Sequence, residues 1–131
     1  MNPVVKPAPE ASVINGTGEI VEINYDLLEL EIILNFDRAP KKVTVVFFSP
    51  IGFRVLDEGD LLEFWENYHT GYGWLYKVVS GGWHDLESKR DGYLSKETRN
   101  VREYLVVGEN DCVSVLVNDN EGPSVFTGSA T

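Results

Sequence analysis

His84 and the carboxylates near it or within reach of a fold, Asp85, Glu87 and Glu103, are the residues of this chain whose types could support acid–base chemistry. An imidazole oriented by a carboxylate is the general base available near neutral pH. Asp57 with Glu58 or Asp60 offers the other arrangement, a pair of carboxyls of which one gives a proton while the other accepts. Neither set follows the spacing of a catalytic motif, and acids are abundant throughout: 21 Asp and Glu stand against 11 Lys and Arg. His69, His84 and the neighbouring acids lack metal-ligand spacing. Gly16-Thr17-Gly18 and Gly71-Tyr72-Gly73 open like a dinucleotide fingerprint, but Val21 and Tyr76 stand where the third glycine belongs. Walker A, GxSxG, CxxC and HExxH patterns do not occur. The expectation is a protein with no catalytic residue, no metal and no cofactor; a small enzyme or ligand-binding barrel using His84 and nearby carboxylates is the alternative.

The same residue types suit contact better than catalysis. Asp57 to Glu66 holds five acids and no base, set beside Leu61, Leu62, Phe64 and Trp65. Trp74, Tyr76 and Trp83 lie close in sequence to Asp85 and Glu87, and aromatic rings among polar groups make good anchors at interfaces. The expected contact residues are Asp57, Glu58, Asp60, Trp74, Tyr76, Trp83 and Asp85. A net charge of −10 repels phosphate backbones, which argues against nucleic acid and for a basic protein partner. Self-pairing of the aromatics in a homo-oligomer is a further alternative. The chain shows no basic segment followed by an apolar one at its start, and its longest strongly apolar run, Val43 to Phe48, is too short for a membrane span. A soluble cytoplasmic protein is expected. The lone Cys112 sits among strand-forming residues and reads as a small packed hydrophobe.

The elements that would position these residues are mostly strands. Residues 1–17 carry half of the six prolines among small and polar residues and read as a flexible N-terminal arm, leaving 18–131 as a single domain. Leu28, Leu30, Ile32, Leu34 and Phe36 alternate with Glu29, Glu31, Ile33 and Asn35, which is the period of a strand with one face in a core. Lys42 to Ser49 returns after a turn at Asp37–Lys41, and its near-continuous apolar run predicts a central strand covered on both sides. Phe53 to Leu56 predicts a short strand. Asp60 as N-cap, Glu63 three residues later, and Leu61, Phe64, Trp65 and Tyr68 at helical spacing predict a helix. Gly81-Gly82 predicts a tight hairpin joining Tyr72–Ser80 to Trp83–Glu87. Residues 89–100 read as a polar loop. Val101–Val107 and Cys112–Asn118 form a second hairpin, and Ser124–Thr127 a short edge strand. The fold class is mainly β: an antiparallel sandwich or partly open barrel with one or two short helices.

Two blocks carry a resemblance. Phe53-Arg54-Val55-Leu56-Asp57-Glu58-Gly59-Asp60-Leu61 through Trp65, and Arg102-Glu103-Tyr104-Leu105-Val106-Val107-Gly108 followed by Cys112-Val113-Ser114-Val115, together resemble small acidic bacterial proteins similar to immunity proteins of polymorphic toxin systems. The resemblance spans residues 19 to 118. It implies a non-catalytic domain that binds and blocks a partner, and it brings no catalytic residue to any position of this sequence.

Overall fold

A computed structural model of the chain describes residues 4–11, 18–37, 41–57, 74–93, 100–118 and 120–127. The described strands run in chain order β1 (Val4–Pro7), β2 (Gly18–Tyr25), β3 (Glu29–Phe36), β4 (Lys42–Phe48), β5 (Gly52–Asp57), β6 (Leu75–Ser80), β7 (Val101–Val107), β8 (Asp111–Asn118) and β9 (Ser124–Thr127). A 3-10 turn occupies Pro9–Ala11, and a short helix, α1, occupies Trp83–Glu87. The strands make two antiparallel sheets, a five-stranded one in the order β1-β6-β7-β8-β5 and a four-stranded one in the order β2-β3-β4-β9. This is the expected mainly-β class, in the form of a sandwich and not of a closed barrel.

Alternation fixes the inner faces. In β3, Leu30, Ile32, Leu34 and Phe36 point into the core, joined from β4 by Val43, Val45 and Phe47. The opposing sheet supplies Leu75, Tyr104, Val106, Val113, Val115 and Val117, with Trp74 at the head of β6. Phe36 meets Trp74 edge to face at 5.8 Å between centroids, a favoured geometry for two aromatic quadrupoles.

The outer faces differ between the sheets, and this matters more than the strand count. The five-stranded sheet has a second buried layer, made of Val5, Tyr76, Val78, Leu105, Val107 and Cys112. Cys112 packs there as a small buried residue, as its surroundings in the sequence predict. The four-stranded sheet is open outside: Thr44 and Val46 are half-buried and Phe48 is exposed. The prediction that β4 is covered on both sides is thus corrected. Its strand neighbours β3 and β9 flank it, but of its outward side chains Lys42, Thr44 and Val46 are only half-buried and Phe48 is exposed.

Two more expectations change. The stretch read as a flexible arm contributes β1, which pairs with β6 and buries Val5 and Ala8. Few apolar residues suffice for that, because β6 offers a free edge whose hydrogen bonds are sequence-independent. The Gly81-Gly82 hairpin does not form. β6 already has β1 on one edge and β7 on the other, so no edge remains for the segment after Gly82 to pair with. Gly81 still turns the chain, at a φ of 75°, and Trp83–Glu87 then closes a helical turn. The helix expected from Asp60 to Tyr68 lies outside the described residues. No described helix is long and apolar enough to cross a membrane.

Candidate functional site

Of the residues singled out for chemistry, His84, Asp85, Glu87 and Glu103 come together around α1. Glu103, on β7, is 3% exposed and directs its carboxylate at the helix start, where Oε2 accepts from the Trp83 N–H at 3.1 Å and Oε1 from the His84 N–H at 2.8 Å. These are N–H groups that a helix cannot satisfy within itself. Asp85 Oδ2 accepts from the Gly81 N–H at 2.6 Å, so the turn before α1 is tied from both sides. Burial pushes the Glu103 carboxyl above its ordinary value, against the pull of the His84 and Trp83 N–H groups and of Arg54.

The surrounding side chains hold this node. The Arg54 guanidinium lies 5.0 Å from the centre of the Trp83 ring, a cation–π contact. Trp83 Nε1 donates to Glu87 Oε1 at 3.2 Å, and Arg90 Nε donates to Glu87 Oε2 at 2.9 Å. Those contacts, first the hydrogen bond from Arg90, hold the Glu87 carboxyl below its ordinary value. The His84 ring faces Tyr93, with Nδ1 at 3.0 Å from the hydroxyl. His84 and Glu103 are therefore neighbours, but the carboxylate meets the backbone N–H of His84 and not its imidazole. In this geometry both Glu103 oxygens are engaged in capping, and a base role would require releasing a helix end. Among the described residues no three His, Cys, Asp or Glu side chains gather as a metal site.

Gly82 exists at this position because of that carboxylate. A Cβ there would stand 2.7 Å from Val78 Cγ1 and 2.8 and 2.9 Å from the two Glu103 oxygens. Gly82→Ala is therefore expected to displace Glu103 and to cost about 1–3 kcal/mol, the usual range for an overpacked site. A urea titration of the two proteins checks it.

The expected contact residues divide. Trp74 and Tyr76 are both at 0% exposure, which removes them from any contact surface. The expectation that they lie at a contact surface is corrected because β6 is an interior strand of its sheet, so Trp74 at its head enters the inter-sheet core and Tyr76 the second buried layer. Trp83 and Asp85 are half-buried on α1 and occupied by the contacts above. Asp57 ends β5, its backbone paired with Asp111. Glu58 and Asp60 lie outside the described residues.

The surface that remains is the open face of the four-stranded sheet. Register places Glu19, Glu22 and Asn24 of β2, Glu29, Glu31, Ile33 and Asn35 of β3, Lys42, Thr44, Val46 and Phe48 of β4, and Ser124 and Phe126 of β9 on it. Glu29 is opposite Phe48, Glu31 opposite Val46, and Thr44 opposite Phe126. Asn24 Nδ2 donates to Glu22 and to Glu31, holding two carboxylates on adjacent strands. Lys42 is the only base on these four strands. Phe48 is 44% exposed and Phe126 58%.

Glu19 and Glu22 do not show as one face in the sequence, because a bulge between Ile20 and Glu22 breaks the period of β2. Glu29 and Glu31 were legible as the polar half of an alternating strand, but nothing local showed that this half stays uncovered. Phe126 stood in a strand expected at an edge, which carried no information about its face. Set against known proteins, the chain matches no family model, no curated protein and no solved structure.

Proposed function

We propose that this protein is a binding protein that recognises a basic partner protein through the open face of its four-stranded sheet, acting as an immunity-type inhibitor. The observation that carries the reading is the combination on that face of four glutamates with two exposed phenylalanines. Carboxylates steer a basic partner toward the sheet, and desolvated aromatic rings supply contact energy once it arrives. The five-stranded sheet, with a buried layer on each face, packs behind the open one. The acids at Asp57, Glu58 and Asp60 belong to the same proposal as a second steering patch.

Reversing Glu22, Glu29 and Glu31 to lysine should slow association with a basic partner captured from the cell of origin by about 10-fold or more at low salt, and the difference should shrink as salt is added. Stopped-flow association at several ionic strengths checks it, with circular dichroism to establish that the fold is intact. Equal rates at low salt would end the steering proposal for this face. The same comparison for Asp57, Glu58 and Asp60 tells which patch steers.

A further inference from the structure

The turn between β2 and β3 contains an anomaly that neither packing nor local propensity explains. Leu27 has a φ of 75°, a left-handed conformation that glycine adopts freely and leucine does not. The turn is closed by the Asp26 N–H donating to the Glu29 carbonyl at 3.2 Å, so Leu27 stands at its first central position, where hairpins with one positive φ take glycine. Leu27 is also 83% exposed, and Leu28 beside it is 50% exposed. A large aliphatic side chain is here both strained in its backbone and left in water.

The turn is nevertheless built firmly. Asp26 Oδ1 accepts from the Leu28 N–H at 2.9 Å and from the Glu29 N–H at 2.7 Å, and the Leu28 carbonyl accepts from the Ser49 N–H at 2.7 Å. The first two bonds, that from Glu29 foremost, hold the Asp26 carboxyl below its ordinary value. Strain that the surroundings over-determine points to a use for the residue that is strained. The corner lies at the end of the open face, since Glu29 follows the turn directly and pairs across to the exposed Phe48. Leu27 and Leu28 in the turn and Phe48 opposite Glu29 thus leave three exposed apolar residues at this end of the sheet, beside Asp26 and Glu29 in the chain, with Glu31 two residues further along the strand.

We infer that Leu27 is the apolar anchor of the partner-binding surface, and that the corner takes an amphipathic basic segment in which lysine or arginine alternates with aliphatic side chains. The inference rests on the open-face reading above and adds to it the residue and the partner chemistry. Cations of such a segment meet Asp26, Glu29 and Glu31 while its aliphatic groups cover Leu27, Leu28 and Phe48. Burying an otherwise solvated leucine on binding is what turns an awkward turn residue into a contact of large effect.

The test uses two synthetic peptides of equal length and charge, one of alternating lysine and leucine and one of alternating lysine and serine, titrated by calorimetry into the full chain. The wild type should bind the leucine peptide about tenfold more tightly than the serine peptide. Leu27→Gly and Leu27→Asn should lose most of that margin, keep the serine-peptide affinity, and melt about 2–4 °C higher than the wild type as the left-handed strain is relieved. Glu22, Glu29 and Glu31 changed together to glutamine should weaken both peptides. An unchanged margin in the Leu27 variants overturns the anchor while leaving the open-face reading standing. If neither peptide binds, or the glutamine variant binds both as the wild type does, the open-face reading fails and the anchor fails with it.

Discussion

Trp74→Ala is expected to lower the unfolding free energy by about 3–5 kcal/mol, a large loss even for a buried aromatic among the described residues. The indole is at 0% exposure between the sheets, against Phe36, and truncation would leave a void that the flanking strands cannot close. A close-packed interior loses dispersion contacts on every wall of such a void, in addition to the transfer energy of the ring. Domains of this kind hold about 5–15 kcal/mol in total, so the variant should stand near its folding threshold. Trp74→Phe should cost much less. It keeps an aromatic partner for Phe36 and deletes Nε1, a buried donor with no hydrogen-bond partner among the described residues. Urea unfolding followed by circular dichroism checks both, and a loss below about 1 kcal/mol for the alanine variant would contradict the placement of this ring in the core.

Glu103→Ala should follow at about 2–5 kcal/mol, for a different reason. It deprives the Trp83 and His84 N–H groups of their acceptors while they remain half-buried, and it opens space beside Gly82. Helix α1 should fray, which the fluorescence of Trp83 would report. Glu103 also links stability to pH. Burial raises its folded value above the ordinary 4.5, so the folded state holds this proton more tightly than the unfolded chain does. Stability contributed by this group is then greatest below 4.5, declines as pH rises through the folded value, and is level beyond it. Glu103→Gln should abolish that decline while retaining one of the two acceptors. Asp26 and Glu87 act with the opposite sign. Their lowered folded values give stability that is present above their ordinary 3.8 and 4.5 and disappears as pH falls. The difference between wild type and the glutamine variant, measured from pH 4.5 upward, isolates Glu103; parallel curves over that range would show that its proton is not held more tightly in the folded state.

Much of the fold is legible in local pattern. β3 reads from Leu30, Ile32, Leu34 and Phe36 because a strand shows alternate side chains to one face, and no partner need be known for that period to appear. β7 and β8 read as a hairpin from two runs of β-formers separated by Gly108 and polar residues, and they pair from Val101 with Asn118 to Val107 with Cys112. The segment after Gly81-Gly82 shows where this reasoning stops. Two glycines permit a tight turn, but whether a strand follows depends on a vacant edge, and β1 and β7, distant in sequence, fill both edges of β6. The same residues then take a helical turn because Glu103, some twenty positions onward, supplies the acceptors for its first N–H groups. A local glycine signal contains neither fact.

By itself, then, the sequence determined an antiparallel β architecture, an inward set of aliphatic residues and a net charge of −10, because alternation and charge are sums over neighbouring residues. Tertiary structure alone decided that the rings of Trp74 and Tyr76 are interior, that Glu103 caps a helix, and that one sheet has a buried layer on both faces while the other leaves Glu22, Glu29, Phe48 and Phe126 in solvent and Glu31 half-buried among them. The physical reason is that burial is a property of whatever packs over a face. A strand advertises which side chains share a face; it does not say which face another part of the chain will cover.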